Sequence, residues 1–461
     1  MACVDCEDFG GGTSSRSTKL IWGGSRYLVE ALVALFNHDL RLLRSPVETI
    51  KAFRQDFKMV MNCHKERKFM LLSQPHLVHW IPIAVPLTKW LLWPPPFAYP
   101  PAALGPLGLF PAFFKFYDAL GGFTCPPSHI MTPARAKRKF PQMIMDGLKY
   151  CSVFYEGQFD DARTNLAIAQ TAAKEGADIV NYCKVTSLIH NTQGKIRGAM
   201  VKDEISGDTF QIRCKGVLVC AGPFTDNIRR LEDKDCSEAV MGARGVHIVL
   251  PGYFAPSGFG LVDMSTSDGR FLFFLPWQGH VLVGTTDSRT TPTLRPCPPE
   301  TEILWLLKES AKYLNPELKV RRQDVLSAWA GIRPLVNDPN TDPSHTATAS
   351  RDHVVSHDMK SDMVFVSGGK WTTYREMYGQ ISYLTNFLFF MTEYDLLYGV
   401  RAEDAIDKMV SVVKLSPKGP SRSLHIGLVG REGMKNTSPM RERAVATVAS
   451  VIEKYRIVYV L

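Results

Sequence analysis

The sequence predicts an α/β protein built on a parallel sheet of the dinucleotide-binding kind, joined to a second, β-rich part. Three observations carry this. The chain opens Ala2-Cys3-Val4-Asp5, an apolar run ending in an acid, followed by a polar turn and the glycines Gly10, Gly11 and Gly12. The second strand of a βαβ nucleotide unit ends this way, with the acid placed to accept hydrogen bonds from ribose hydroxyls. Residues 161–176 then read as a helix feeding a β-meander. Gly216-Val-Leu-Val-Cys-Ala-Gly222 is an unbroken apolar run ending in glycine, which suits a strand buried on both faces of a parallel sheet.

Composition sets the outer bounds. The 461 residues are 45% hydrophobic and 21% charged, enough for a large core and about two or three domains. The net charge of +9 is spread along the chain. It reads first as a solvated basic surface; it permits attraction to anionic substrates or lipid surfaces but specifies neither. No basic block with aromatic interleaving points to nucleic acid. The 10 cysteines are scattered, which reads as reduced thiols and not a disulfide framework. Cys3-x-x-Cys6 has no second cysteine or histidine pair at zinc spacing, so no metal is expected.

In chain order, residues 26–71 read as helix-rich. Residues 90–114 carry no charge, but seven prolines from Pro94 to Pro111 interrupt them. Each costs a helix interior about 3 kcal/mol, so a spanning helix is excluded. The tryptophans, tyrosine and phenylalanines there suit either a membrane-interface belt or a loop packed on the core. Residues 378–400 are interrupted by Glu393 and Asp395 and are too short and acidic to span. Asp161 to Gly176 has an acid at its start and glycine at its end, as caps and the macrodipole favour. Residues 177–190 read as one strand, 196–202 as another and 209–214 as a third, separated by Gly-containing turns. Helix, meander and returning strand in this order resemble the two-domain flavoproteins of the glutathione-reductase and D-amino-acid-oxidase type. Their fold is FAD-binding and Rossmann-like, with a β-rich substrate domain.

The resemblance becomes specific at GTSSRSTKLIWGGSRYL (Gly12 to Leu28), GVHIVLPGYF (Gly245 to Phe254), FFLPWQGHVLVGTTD (Phe273 to Asp287), AGIRPLV (Ala330 to Val336) and GGKWTTYR (Gly368 to Arg375). These stretches look like the FAD-dependent glycerol-3-phosphate dehydrogenases, most closely the mitochondrial type. The resemblance implies FAD as cofactor, glycerol 3-phosphate as substrate, a membrane quinone as electron acceptor, and peripheral contact with the mitochondrial inner membrane. Arg26, Arg333 and Lys370 resemble the substrate-site cations, and arginine's planar fork suits a phosphate. His247, Arg333 and Lys370 are the implied catalytic residues, with His247 handling the hydroxyl proton. Without the resemblance, a lone strand histidine reads as structural. The implied cofactor contacts are Asp5, Thr13, Ser14, Ser15, Val185, Ala221, Gly222, Gly369, Lys370, Trp371 and Thr372.

The chain also departs from the family pattern. Trp22 stands where the family's LIHGG carries histidine, and an indole cannot accept a proton. No glycine-rich phosphate loop precedes Asp5, so the reading expects a strand, a G-x-G-x-x-G turn and a helix upstream of Met1. Residues 378–401 look inserted, and most of the family's C-terminal helical region is absent. The expected organisation is a partial FAD domain (1–75), an aromatic and proline-rich cap region (76–150), a FAD-domain helix, meander and returning strand (151–230), and a substrate-binding β-domain (231–350). A closing FAD-domain strand and helix start (351–377), the insertion (378–401) and a helical remnant (402–461) follow. An inactive fragment or scaffold of the family, and a related flavin amine or amino-acid oxidase, remain as alternatives.

Overall fold

The fold is taken from a computed structural model that describes residues 1–25, 27–28, 46–87, 109–144, 146–255, 258–263, 266–267, 270–336, 353–375, 403–416, 423 and 425–431. In chain order, β1 (Ala2–Val4) and β2 (Leu20–Ile21) precede the helix α1 (Pro46–Ser73). Next come β3 (Val78–Leu87), α2 (Leu109–Leu120), β4 (His129–Met131), α3 (Pro133–Lys139), β5 (Tyr150–Phe159) and α4 (Asp161–Lys174). The middle of the chain holds β6 (Asp178–Val180), β7 (Cys183–His190), β8 (Ile196–Asp203), β9 (Thr209–Arg213), β10 (Leu218–Val219) and the short α5 (Thr225–Arg229). Then follow β11 (Val240–Leu250), β12 (Gly260–Asp263), β13 (Leu272–Trp277), β14 (His280–Gly284), β15 (Ser288–Arg289) and α6 (Glu300–Ala311). The last elements are β16 (Ser327–Val336), β17 (His353–His357), β18 (Val364–Gly368) and α7 (Glu403–Val412).

Two kinds of sheet divide the work. Parallel pairs β1–β6 and β10–β18 form one part, with the meander β7-β8-β9 beside them. A ten-stranded sheet runs β15-β11-β14-β13-β12-β3-β5-β2, with β16 also on β11 and β4 also on β5. Strand β3 sits inside this sheet although it contains Pro82 and Pro86, which cannot donate to a ladder. It survives because β12 pairs with it only at Ile83 and Ala84, between the prolines.

Three expectations need correction. Residues 177–190 form two strands, not one: Tyr182 has φ +51, and the turn it makes sends β6 to β1 and β7 to β8. The run 216–222 yields a two-residue strand hydrogen-bonded to β18 alone among the described residues, so only Val219 of β10 is buried. The boundaries at 75/76 and 150/151 do not follow the hydrogen bonding either, because β3 and β5 belong to the same sheet as β11–β16.

The core lies where α1 and α2 cover β5. Nearly every residue of β5 is buried: Tyr150 and Phe154 pack toward Phe113, Phe114 and Tyr117, while Cys151 and Val153 pack with Met131, Ala136 and Phe140 on the other face. Buried within this apolar layer is Glu156, fully enclosed. It accepts from Arg67 Nη1 at 2.5 Å, from the Tyr117 hydroxyl, and from the Gly23 amide at 3.0 Å. Burial alone would strip the Arg67 charge, but Glu156 outweighs it and holds the guanidinium above its ordinary value. Gly23 is required beside this group, since a Cβ there would meet the Tyr117 hydroxyl and Arg67 Nη1. Among the described residues, no helix is long and apolar enough to cross a membrane.

Breaking one partner of a buried ion pair leaves an uncompensated charge, which costs about 3–5 kcal/mol. Glu156→Gln should therefore lower the unfolding free energy obtained from urea melts by that order. A loss below about 1 kcal/mol in the same melts would show that the pair is not what fixes α1 on the sheet.

Candidate active site

The 13–19 part of the loop between β1 and β2 is tied to several other parts of the chain. Thr13 Oγ1 donates to Ile332 O of β16 at 2.6 Å, and the Trp371 indole N–H donates to Ser14 O at 2.6 Å. Ser17 and Lys19 are held by Asp161 at the start of α4. Thr18 Oγ1 lies 2.9 Å from His247 Nε2. Thr13, Ser14, Ser15, Trp371 and Thr372, named separately from the sequence, are thus brought to one place.

The facing sheet supplies His247 from β11 and Arg333 from β16. Each lies across a glycine of a neighbouring strand: a Cβ on Gly284 would strike the His247 ring, and one on Gly245 would strike the Arg333 guanidinium. The glycines in GVH and VLVGTTD are therefore what give these two side chains room. Arg333 pairs with Asp287 at 3.0 Å and donates to Thr285 Oγ1 at 3.0 Å. His247 is 2% exposed and stacks on Trp329 with centroids 5.5 Å apart. Burial, with the charges of Arg333 and Lys19, lowers its pKa to about 3, so the imidazole is neutral at physiological pH. Its Nδ1 is buried without a hydrogen-bond partner.

Lys370 follows Gly368 (φ +76) and Gly369 (φ +96), whose left-handed conformations make the turn. Its ammonium sits 3.6 Å from the Tyr27 ring centroid and 3.2 Å from Met59 Sδ. Among the described residues it makes no ion pair. The residues after it form a single 3₁₀ turn, Trp371–Thr373, and not the start of a longer helix among the described residues. Arg375, at the end of the motif, makes a buried pair with Glu66 of α1. Trp22 is ringed by Phe273 at 4.9 Å, Phe154 at 5.9 Å and Phe271 at 6.4 Å. Arg26 and the segment 378–401 lie outside the described residues.

At the end of β1, the Asp5 carbonyl accepts from the Cys183 amide at 2.7 Å. Its carboxylate accepts from the Glu7 amide at 3.0 Å. Burial, with Glu7 and Asp8 nearby, raises the Asp5 pKa. Val185 packs with Val4, and Ala221 with Val219; Leu188 touches both clusters. Gly222, at φ +52, turns the chain after β10. Asp5, Val185, Ala221 and Gly222 therefore share one end of the molecule. Asp161, Lys19, Thr18 and Trp329 were missed from the sequence. One signal was available: Asp160 and Asp161 are consecutive acids at a helix start, and only Asp160 acts as the cap, accepting from the Arg163 amide.

Fold and site together define an α/β protein in which parallel strand pairs and a large mixed sheet meet at the loop between β1 and β2. The sequence profile described as "DAO: FAD dependent oxidoreductase" matches residues 1–375, and the chain belongs to this family. It is 40% identical over 444 residues to the mitochondrial glycerol-3-phosphate dehydrogenase of Homo sapiens, covering 95% of this chain and 52% of that protein. It is 37% identical over 450 residues to the mitochondrial glycerol-3-phosphate dehydrogenase of Arabidopsis thaliana, covering 95% and 61%. The chain spans about half the length of the human relative. Among solved structures, glycerol-3-phosphate dehydrogenase from Bacillus halodurans complexed with FAD aligns with a TM-score of 0.66 at 23% identity, over 98% of this chain and 67% of that one. L-alpha-glycerophosphate oxidase from Mycoplasma pneumoniae, with FAD bound, aligns at 0.55 and 14% identity, over 91% and 89%. Both likenesses show the fold.

FAD is the cofactor of the family and so of this chain. The residues present fit it. Buried polar atoms without partners, His247 Nδ1, Trp329 Nε1 and Ser367 Oγ, belong to strands around the loop and the Gly368–Lys370 turn, and buried polar groups are otherwise satisfied. A cation stands at that same turn. No cluster of metal-ligating side chains occurs among the described residues.

Because His247 is neutral when folded and titrates near its ordinary 6.5 when unfolded, the unfolded chain binds its proton more readily. The group has no effect above about pH 6.5 and destabilises increasingly as pH falls toward about 3, by up to about 1.4 kcal/mol per pH unit. His247→Gln should flatten the fall in melting temperature between pH 7 and pH 5. Parallel pH profiles for the two proteins would mean that the imidazole is not held neutral by the fold.

Proposed function

We propose that the protein oxidises sn-glycerol 3-phosphate to dihydroxyacetone phosphate and passes the electrons to a quinone at the mitochondrial inner membrane. The observation that carries this reading is the Lys370 ammonium, without an ion pair among the described residues, at the Gly368–Lys370 turn, with Arg333 on the sheet that faces the loop. A phosphate dianion on a small polyol needs several fixed cations, whereas an amine needs none and a singly charged amino-acid carboxylate is met by one.

FAD, when bound, supplies the acceptor for the hydride leaving C2. The chain's own residues do the rest. Asp287 and Thr285 orient the Arg333 guanidinium, which binds the phosphate together with Lys370 and Arg26. His247, neutral and with its Nδ1 unpartnered, takes the hydroxyl proton. Burial holds its basicity down, but a dianionic substrate offsets the contribution from Arg333 and Lys19 and so raises it in the complex. Asp5, Val185, Ala221 and Gly222 hold the nucleotide end, and Thr13, Ser14, Ser15, Gly369, Trp371 and Thr372 the flavin end.

Membrane contact is supported by the exposed aromatics Phe116 and Phe123, 44% and 64% accessible, with Lys115 next to Phe116. Residues 88–108 of the same region lie outside the described residues. Trp22 favours a second reading, a catalytically silent scaffold, because an aromatic cluster fills the place of the family histidine.

Three measurements bear on these readings. Arg333→Ala should lower kcat/KM for glycerol 3-phosphate by about 2–5 kcal/mol, thirty-fold to several thousand-fold, and for glycerol far less. Equal losses would remove Arg333 from the phosphate site. Trp22→His should raise turnover if a proton acceptor is missing there. Turnover absent from both forms, with flavin bound, supports the scaffold. Deleting residues 90–108, which leaves α2 and its core residues Phe113 and Phe114 in place, should release the protein from membranes with its flavin retained, and unchanged sedimentation with membranes would end that part of the proposal.

A further inference from the structure

Asp161 is completely buried, and its carboxylate works mainly outside its own helix. Asp160 already caps α4. Asp161 accepts from the Ser17 amide at 3.0 Å, the Ser17 hydroxyl at 2.7 Å and the Lys19 ammonium at 2.5 Å, besides the next amide, that of Ala162, at 2.8 Å. Lys19 donates as well to Ser15 O at 2.7 Å. Both of its neighbours in the loop, Ser15 and Ser17, are thus cross-linked through one ion pair.

The backbone shows what this pair holds. Lys19 has φ +60, a left-handed conformation that costs a side-chain-bearing residue about 1–2 kcal/mol and persists only where its surroundings impose it. Thr18, just before it, meets His247, and β2 starts just after it at Leu20. The ammonium is 5.9 Å from the Trp277 ring and 5.5 Å from the Trp329 ring, so without Asp161 it would be a buried cation held by the Ser15 carbonyl and two aromatic faces, with no carboxylate to balance it.

We propose that Asp161 is a positioning residue for the flavin. By gripping Ser17 and Lys19, it fixes the strained loop in the one shape that receives the cofactor at Thr13–Ser15 and sets Thr18 against His247. It also cancels the Lys19 charge, which otherwise adds to Arg333 and Lys370 at the redox centre. This rests on the loop being the flavin-binding one, and it goes beyond that reading by assigning what shapes the loop. Asp161 itself touches neither the implied cofactor contacts nor the substrate cations.

The test uses purified holoprotein and needs no substrate. Hydrogen exchange of residues 13–19 is first compared in the wild type with FAD present and stripped. Protection by FAD is expected, and its absence would overturn both the loop reading and this inference. FAD dissociation, the visible flavin spectrum and the flavin midpoint potential at saturating FAD are then measured for Asp161→Asn, Asp161→Glu, Ser17→Ala and the double variant Lys19→Met/Asp161→Asn. Asp161→Asn should weaken FAD binding by about ten- to a hundredfold and raise the midpoint potential, because the Lys19 charge is no longer cancelled. The double variant should return the potential toward the wild-type value while binding stays weak, since the charge is balanced but the grip is gone. Asp161→Glu should rescue part of the affinity, and Ser17→Ala should lose a few-fold. If Asp161→Asn does not fold, the double variant and Ser17→Ala decide the matter. Wild-type affinity and an unchanged flavin spectrum in those two, with FAD still protecting the loop, would show that Asp161 only stabilises the fold.

Discussion

The contact between Arg67 and Glu156 is the constraint on which the arrangement of this molecule depends. Arg67 belongs to α1 and Glu156 to β5, and the same carboxylate also takes the Gly23 amide and the Tyr117 hydroxyl. One buried charge thereby joins the central helix, the large sheet, α2 and the turn that carries Trp22. Glu66, the preceding residue on α1, faces a different way, as neighbours about 100° apart on a helix must, and pairs with Arg375 of the Lys370 turn. Two ion pairs on consecutive residues leave α1 a single rotation and a single height that satisfy both. Their worth lies in that register, because buried pairs repay their desolvation only when the geometry is met.

From this frame the site acquires its form through absences of side chains as much as through their presence. Gly245 and Gly284 lie under Arg333 and His247, and a methyl group at either would collide with the functional side chain above it. The sheet therefore offers two shallow seats on adjoining strands, filled by one cation and one neutral imidazole. Placing His247 between a stacked indole and the charges of Arg333 and Lys19 keeps it unprotonated. That is the form able to accept a proton.

Much of this was legible in the sequence, for reasons particular to each part. The α4 helix was read correctly because its signals, an acid cap and Gly176, are local. The stretch Thr13–Ser15, His247, Arg333 and Lys370 can be singled out because each stands in a long motif whose order along the chain is itself informative. What escaped was non-local. Arg67 and Glu156 are 89 residues apart and Glu66 and Arg375 are 309 apart, and no periodicity links such positions. The strand expected over 177–190 failed at Tyr182, where a non-glycine residue takes positive φ. Nothing in an apolar run announces that conformation. In the same way, 216–222 has the composition of a central strand, while its extent depends on neighbours that composition does not name.

The charge balance of the site supports an anionic ligand on grounds separate from any motif. Three cations converge on it among the described residues. Lys19 is matched by Asp161, and Arg333 by Asp287. Lys370 is matched by no carboxylate there; its nearest named contacts are an aromatic ring and a thioether. An ammonium against a ring gains about 0.5–2 kcal/mol, less than a charge-assisted hydrogen bond to an acid supplies in a partly dry site. Left without an acid, Lys370 keeps its charge for whatever enters. The acids of the site are meanwhile committed to Lys19 and Arg333, so a negative group arriving at Lys370 meets attraction without having to displace a carboxylate. A neutral or cationic substrate would gain nothing from this arrangement, and would leave Lys370 without a matching carboxylate among the described residues.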